Sequence, residues 1–214
     1  MTPDGFSTLQ AIFFDFDGVL AESLNIKTEA FRDLYAGFGA DIADQVAEAA
    51  FRETGVSREI KIRGFHRKFL GQELTDPALA KLCDTFAQAV VEKVIAAPWV
   101  AGAKELVLRE FPQRPLFVIS GTPHDEMIDI VARRGMAPHF KEVHGGPTAK
   151  HVIMDQILER HGFDPARVLM VWDGYTDFDA AEKSGLQFLG RLYPRRENPF
   201  PKHVPVVSDF TGLI

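Results

Sequence analysis

The chain has 214 residues, enough for one large domain or for a core with a smaller inserted domain. Its formal net charge of −6 argues against a general nucleic-acid-binding protein, and its single cysteine excludes an internal disulfide. No apolar stretch approaches the roughly 18 residues of a membrane span, and the first ten residues lack the basic pattern of a secretory signal. We therefore expect a cytoplasmic globular protein that binds neither nucleic acid nor membrane.

An apolar run near the N terminus ends in two acids. The segment 11–14 predicts a strand covered on both faces, and Asp15, Asp17 and Gly18 follow it. Open α/β sheets bind their ligands at the carboxyl ends of strands. Two carboxylates this close repel each other unless a cation lies between them, and such oxygen ligands favour Mg²⁺. Taken alone, the four residues 15–18 are also compatible with a solvated turn.

A block of predicted helices follows this strand. Apolar residues at helical spacing predict four helices, the third starting after Ser57 and the fourth at Asp76. No strand is predicted among them. We interpret residues 23–97 as a helical cap domain inserted into a core formed by residues 1–22 and 98–214.

Strands and helices alternate in the remainder of the chain. Buried strands are predicted at 116–119 and 168–172, a short strand at 142–144, and edge strands at 188–189 and 204–207. Helices are predicted over 102–111, 122–135, 148–161 and 176–184. This alternation implies a three-layer, Rossmann-like α/β core with a parallel sheet between helices.

Polar side chains end three of the predicted strands. Asp15 and Asp17 follow the first, Ser120 the second and Asp173 the third, while Lys150 lies near the start of a helix. In a parallel sheet these groups meet at one edge. Two carboxylates, a hydroxyl donor, a fixed cation and a metal-binding carboxylate form a set suited to phosphoryl transfer.

This set resembles the haloacid dehalogenase superfamily, and in particular its helical-cap phosphatases similar to beta-phosphoglucomutase and phosphoglycolate phosphatase. The resemblance covers nearly the whole chain, and its motifs are Asp15-Phe16-Asp17-Gly18-Val19-Leu20, Ser120-Gly121-Thr122, Lys150 and Asp173-Gly174-Tyr175-Thr176-Asp177. It implies Mg²⁺-dependent hydrolysis of a small phosphorylated metabolite, either a sugar phosphate or a phospho-acid. It leaves open whether the protein is a monomer or a homodimer.

The resemblance implies a role for each catalytic residue. Asp15 attacks phosphorus and forms an aspartyl-phosphate, and Asp17 protonates the leaving oxygen and then activates water. Ser120, Gly121 and nearby backbone N–H groups hold the phosphoryl oxygens, and Lys150 neutralises charge. Because dehalogenase and phosphonatase members lack an acid at the position of Asp17, this residue favours a phosphate ester as substrate.

The metal ligands implied by the resemblance are Asp15, the backbone carbonyl of Asp17, and Asp173. Asp177 would act through water, and Asp179 is an alternative for this second acid.

The sequence departs from the family pattern around the last motif. Trp172 stands where a glycine or glutamate usually precedes the metal-binding acid, and Gly174 replaces a common serine or alanine. Lys150 lacks the proline that often follows this lysine. Lys141 is a competing candidate, with a poorer spacing from Ser120.

Two residues of the helical block are candidates for contact with substrate. Arg58 lies in a loop, Gly55-Val56-Ser57-Arg58-Glu59, that resembles the cap loop of beta-phosphoglucomutase-like enzymes, where the arginine contacts substrate. Lys27 occupies a hinge position at which the mutase branch carries a histidine. The remaining cations of the third cap helix are predicted to form a solvated face: Lys61, Arg63, His66, Arg67 and Lys68.

Three other functions are compatible with parts of this pattern. A phosphosugar mutase uses the same chemistry, but the missing hinge histidine counts against it. A response-regulator receiver also uses an aspartyl-phosphate, but it has no helical insert of this size. A non-catalytic relative that only binds a partner would not need the intact acids and Lys150.

Overall fold

The computed structural model consists of one parallel sheet with helices packed against it. It describes residues 3–53, 56–174, 178, 181–193 and 197–214. The strands are β1 Ala11–Phe14, β2 Leu116–Pro123, β3 Glu142–Gly146, β4 Val168–Trp172, β5 Gln187–Arg191 and β6 Val206–Val207. They lie in the order β3-β2-β1-β4-β5-β6, and every neighbouring pair is parallel.

Seven α-helices are described in full. They are α1 Leu24–Tyr35, α2 Ala40–Arg52, α3 Arg58–Phe65, α4 Asp76–Ala96, α5 Ala103–Glu110, α6 His124–Arg133 and α7 Lys150–His161. A π-helical segment, His66–Leu70, continues α3. The helix predicted over 176–184 lies partly outside the described residues, but 181–183 are helical. None of the described helices combines the length and apolar character that crossing a bilayer requires.

The burial of the central strand explains why the fold has three layers, with the sheet between two layers of helices. Every residue of β1 is fully buried, and alternate side chains belong to different hydrophobic cores. Ile12 and Phe14 face one core, whereas Ala11 and Phe13 face the other. A strand buried on both faces has no polar side, which accounts for the uninterrupted apolar run in the sequence. The predicted α/β fold is therefore confirmed.

Register places the polar ends of three strands side by side. Phe14 at the end of β1 is paired with Val118 of β2 and with Val171 of β4. Asp15 therefore continues β1 at the level where the chain of β2 approaches Ser120 and that of β4 approaches Asp173.

Two strand predictions were wrong. We expected a helix to open at Thr122, but β2 runs on to Pro123, because after a shift in register it pairs with Gly146 of β3. The strand at 188–189 was predicted to be an edge strand, yet β5 lies between β4 and β6. The edge is β6, and Pro205, which has no N–H to donate, immediately precedes it.

Helices α1 to α4 lie between β1 and β2 in the chain, with no strand among their described residues. They pack through a shared apolar cluster that includes Phe31, Phe65 and Phe86. The two chain segments that join this helical block to the sheet lie next to each other, and Glu22 N of one donates to Pro98 O of the other at 2.9 Å.

Candidate active site

Asp15 occupies the centre of the edge formed by the carboxyl ends of the strands. Its backbone N–H donates to Val171 O at 3.1 Å, and only 3% of the residue is exposed to solvent. The carboxylate Oδ1 accepts from Phe16 N at 2.7 Å, and Oδ2 accepts from Lys150 Nζ at 2.8 Å. Burial raises the pKa of the Asp15 carboxyl above its usual value, while the Lys150 ammonium acts in the opposite direction.

Lys150 reaches Asp15 from the first residue of α7. Its ammonium also lies 4.8 Å from the ring centroid of Trp172, which is completely buried at the end of β4. This separation is within the range of a cation–π contact. The unusual tryptophan therefore packs beneath the lysine. Lys141, the competing candidate, is exposed and does not line the site.

Asp17 is held by three side chains. Ser23 Oγ donates to Oδ1 at 2.6 Å, whereas Lys27 Nζ and Thr122 Oγ1 donate to Oδ2 at 2.5 and 3.1 Å. Burial alone would raise the pKa of Asp17, but Lys27 and the two hydroxyls together lower it below its usual value. Asp17 is therefore ionised in this arrangement. The predicted cap residue Lys27 contacts this acid directly.

Ser120 lies within β2, two residues beyond Val118, where the pairing with β1 ends, and 1% of its surface is exposed. Its Oγ accepts a hydrogen bond from Thr122 N at 3.1 Å, which leaves the hydroxyl hydrogen available to donate. Ser120, Gly121 and Thr122 all line the same cavity as Asp15 and Asp17.

Asp173 follows β4 and is 2% exposed. The loop after β1 approaches it closely at Gly18, which has φ +74°, and a Cβ atom there would lie 2.9 Å from Asp173 Oδ2. Only glycine fits this position without displacing the carboxylate. Asp177 and Asp179, the candidates for a second acid, lie outside the described residues.

A cavity partly open to solvent lies between the sheet edge and α1 to α4. Its walls combine the groups described above with side chains from the helical block. The lining residues from that block are Leu24, Lys27, Thr28, Phe31, Ala50, Val56, Arg58, Lys61 and Phe86.

Arg58 lines this cavity, but its guanidinium already has a partner. Its Nη2 donates to Glu126 Oε1 at 2.6 Å, its Nη1 donates to Cys83 O at 3.4 Å, and the group lies 4.9 Å from the ring centroid of Phe86. The side chains of Arg58 and Glu126 are 7% and 13% exposed. Because Glu126 belongs to α6, this ion pair joins the helical block to the core.

Lys61 lies one turn after Arg58 and is 9% exposed. Its Nζ donates to Ala50 O at 3.3 Å and lies 5.6 Å from the ring centroid of Phe31. Burial lowers its pKa to about 8, and the charge on Lys27 adds to this effect. The predicted solvated face is therefore wrong for Lys61 and also for His66, which is 4% exposed, whereas Arg67 and Lys68 are exposed.

Sequence reasoning missed several groups at this site. Ser23 and Thr122 hold Asp17, but Ser23 was assigned to the cap boundary and Thr122 to the start of a helix. Lys61 was assigned to a solvated face together with the neighbouring cations. Its spacing could have predicted its burial, because Arg58, Lys61 and Phe65 recur at helical intervals on the buried face of α3.

Comparison with known proteins identifies the family. The profile of the haloacid dehalogenase-like hydrolase family matches residues 9–185, so the chain belongs to this family and is a hydrolase. The chain is 26% identical over 182 residues to a phosphoglycolate phosphatase from Synechococcus elongatus, with 83% of this chain and 81% of the relative covered. Phosphatases of this family are generally metal-dependent.

Solved structures have the same fold. A beta-phosphoglucomutase from Clostridium difficile has a TM-score of 0.77 at 16% identity, covering 96% of this chain and 93% of that one. A CbbY mutant from Rhodobacter sphaeroides in complex with xylulose-(1,5)bisphosphate has a TM-score of 0.74 at 18% identity, covering 94% and 95%. At these identities the likeness shows the fold alone. The family and the fold predicted from the motifs are both confirmed.

Proposed function

We propose that the protein is a Mg²⁺-dependent phosphatase of small phosphate monoesters that works through an aspartyl-phosphate on Asp15. The observation that carries this proposal is the pairing of two carboxylates with different surroundings in one cavity. Asp15 is held by Lys150 and a backbone N–H, and Asp17 by Lys27 and two hydroxyls. Phosphatase activity is also the activity named for the curated relatives.

The residues at the sheet edge fit a magnesium ion. The proposed ligands are the carboxylates of Asp15 and Asp173 and the carbonyl of Asp17, three residues that line one cavity, with Asp177 as a further ligand through water. Mg²⁺ keeps several waters and takes only one or two protein carboxylates besides substrate phosphate, so this set of oxygens suits it. When bound, the ion would offset the burial of Asp15 and withdraw charge from the phosphoryl group.

In the first chemical step, an Asp15 carboxylate oxygen forms a bond to phosphorus as the bond to the ester oxygen breaks. Asp17 gives its proton to that leaving oxygen. Asp17 is ionised in the free site, but the negative charge of a bound phosphate raises its pKa, which favours the protonated form. In the second step, Asp17 takes a proton from water, the water oxygen bonds to phosphorus, and Asp15 is released.

The transferred group is held by donors that are already in position. Lys150, the hydroxyl of Ser120 and the backbone at Gly121 lie around the cavity next to Asp15. Fixed donors need no reorganisation as charge develops on the phosphoryl oxygens, so they stabilise the transition state more than free water would.

A phosphosugar mutase is less well supported. The curated relatives that match the sequence are named phosphatases, whereas the likeness to mutases is structural, at 16% identity for the example above. Lys27 also occupies the position at which mutases carry a histidine. A non-catalytic role is disfavoured because the acids and Lys150 retain mutual contacts suited to catalysis.

We further propose that residues 23–97 form the cap domain, which is supported by the adjacent chain crossings at Glu22 and Pro98. A cytoplasmic location is proposed because the only cysteine, Cys83, is a free thiol in this chain.

The test is phosphate release from a set of phosphate esters, measured with Mg²⁺ and with excess chelator, for wild type and Asp15→Asn. We expect release to require Mg²⁺ and to be abolished by the substitution, because an amide is a poor nucleophile. Activity of the variant within about tenfold of wild type, or some 1.4 kcal/mol of barrier, would contradict the role of Asp15.

A further inference from the structure

The buried and half-buried cations around the cavity differ in what they contact. Three of them donate to a carboxylate within 2.8 Å: Lys27 to Asp17, Arg58 to Glu126 and Lys150 to Asp15. Lys61 is as buried as these groups, but among the contacts of the described residues its hydrogen bond is to a carbonyl, Ala50 O, at 3.3 Å. Within the described part of the chain, Lys61 therefore has no carboxylate in contact, unlike the other three cations.

This environment is costly for an ammonium group. An ammonium has three N–H donors, and within the described part of the chain one hydrogen bond is seen for Lys61, to Ala50 O at 3.3 Å. Burying a cation that has no carboxylate in direct contact is unfavourable, and burial is the main cause of its lowered pKa. The carboxylates of Glu53, Asp173 and Asp17 act in the opposite direction but do not offset it. Residues that break packing rules in this way are expected mainly at functional sites, where a ligand completes the interaction.

We propose that Lys61 binds a second anionic group of the substrate, so that the preferred substrates are short phosphate monoesters carrying a carboxylate or a second phosphate. This inference rests on the proposed phosphatase function. The reacting phosphate lies at Asp15, and the second anion lies against Lys61, which lines the same cavity from α3.

The rest of that wall limits the substrate further. Most of its side chains are apolar, and they include Leu24, Phe31, Val56 and Phe86. The Thr28 hydroxyl is a buried polar group there without a hydrogen-bond partner among the described residues. A sugar phosphate has several hydroxyls, each of which loses free energy if it is buried without a partner. The wall therefore favours a short chain with at most one or two hydroxyls.

Arg58 is a weaker candidate for this anion. Its guanidinium would have to break a 2.6 Å ion pair with Glu126 before it could bind substrate, and Glu126 would then remain buried without its cation. Lys61 needs no such exchange.

The experiment compares substrates that share a phosphate ester but differ at the other end. 2-Phosphoglycolate has a carboxylate, ethane-1,2-diol bisphosphate a second phosphate, and 2-hydroxyethyl phosphate a neutral hydroxyl. The measurement is kcat/KM for wild type, Lys61→Met and Lys61→Arg. Lys68→Met is the matched control, since Lys68 is an exposed lysine on the same helical segment.

We expect Lys61→Met to lower kcat/KM by about 10²-fold for whichever anionic substrate wild type prefers, the usual loss when one partner of a buried charge pair is removed. The loss on 2-hydroxyethyl phosphate should be at least ten times smaller, Lys61→Arg should recover part of the activity, and Lys68→Met should behave as wild type. A larger loss on the carboxylate than on the bisphosphate would identify the second anion as a carboxylate.

Two results would overturn the inference: equal losses on the anionic and neutral substrates, or no preference of wild type for an anionic tail. Calorimetric binding of 2-phosphoglycolate to Asp15→Asn, with and without Lys61→Met, separates this failure from failure of the proposed function. If wild type hydrolyses 2-phosphoglycolate but Lys61→Met does not weaken its binding to Asp15→Asn, only the role of Lys61 is refuted. If Lys61→Met weakens that binding but wild type hydrolyses none of the substrates, only the phosphatase assignment is refuted.

Discussion

The two walls of the cavity follow different rules. On the sheet wall, Asp15 and Asp173 follow the ends of parallel strands, and Ser120 lies in β2 just beyond its pairing with β1. Each of the three is at most 3% exposed. On the helical wall, Arg58 and Lys61 project from α3, where their environment depends on how four helices pack. Strand ends place functional groups by topology, whereas helix packing places them by tertiary contacts that a sequence pattern does not contain.

The walls also differ in how charge is balanced. The carboxylates of Asp15 and Asp17 on the sheet wall each have a lysine within 2.8 Å, so these two charges are balanced before a ligand binds. The helical wall contains Lys61 with no carboxylate among its described contacts. The difference suggests that the sheet wall performs the common chemistry and that the helical wall selects the substrate.

Of the substitutions that test this difference between the walls, Asp17→Asn is expected to have the largest effect on turnover. Asp17→Asn should slow turnover by roughly 10²–10⁴-fold, because an amide cannot supply a proton to the leaving oxygen. Metal binding should be nearly unchanged, since the proposed ligand is the backbone carbonyl. Steady-state kinetics with Mg²⁺ titration measures both quantities. A variant with the wild-type rate would show that Asp17 is not the acid.

The fold and the sheet wall were predictable for related reasons. The uninterrupted apolar run before Asp15 and the strand before Asp173 both point to buried parallel strands, and register then brings their ends together. Among the described residues, Lys150 could be chosen over Lys141 only on spacing and family resemblance, and the structure places it on Asp15.

The helical wall was not predictable in the same way. Arg58, Lys61 and the exposed Arg67 and Lys68 are similar residues on one continuous helical segment. Which of them faces the cavity depends on long-range packing against Phe31 and Phe86, and which has a partner depends on Glu126, 68 residues further along the chain. No local pattern encodes that pairing.

A second, smaller effect separates Arg58 from Lys61. Arg58→Ala should lower kcat/KM by about tenfold, and equally for 2-phosphoglycolate and 2-hydroxyethyl phosphate, if its ion pair with Glu126 holds the helical block against the core. It should also lower the melting temperature, because Glu126 is left largely buried without its cation.

The matched control is Arg133→Ala. Arg133 of α6 also pairs with a residue of the helical block, Glu92, but their side chains are 43% and 72% exposed. Exposed pairs contribute little, so this change should be nearly silent. A loss for Arg58→Ala confined to 2-phosphoglycolate would instead assign the second anion to Arg58 and contradict the division between the two residues.

The smallest expected effect is on stability and concerns Lys61. Folding lowers the pKa of Lys61 from 10.5 to about 8, so the folded protein disfavours the charged form. At roughly 1.4 kcal/mol per pKa unit this sets an upper limit of about 3 to 4 kcal/mol on the cost, and loss of the contacts with Ala50 and Phe31 offsets part of it. Lys61→Met should therefore raise the free energy of unfolding by about 1 kcal/mol at pH 7 while impairing activity on anionic substrates, a combination expected of a binding residue.

The pH dependence gives this prediction its sign. Below pH 8, Lys61 is charged in both the folded and the unfolded chain, so the gain from Lys61→Met is fully present. Between pH 8 and 10.5 the unfolded chain binds more protons at this group than the folded one, so the Lys61 contribution to wild-type stability increases with pH. The advantage of the variant should shrink across that interval. The charged groups around Lys61 that also act on it are Lys27, Glu53, Asp17 and Asp173, and these are present in both proteins.

Denaturant unfolding of both proteins at pH 7 and pH 10 measures the difference. A constant or growing advantage would mean that Lys61 is not a buried cation with a lowered pKa, and that the helical wall, like the sheet wall, has its charge balanced without a substrate.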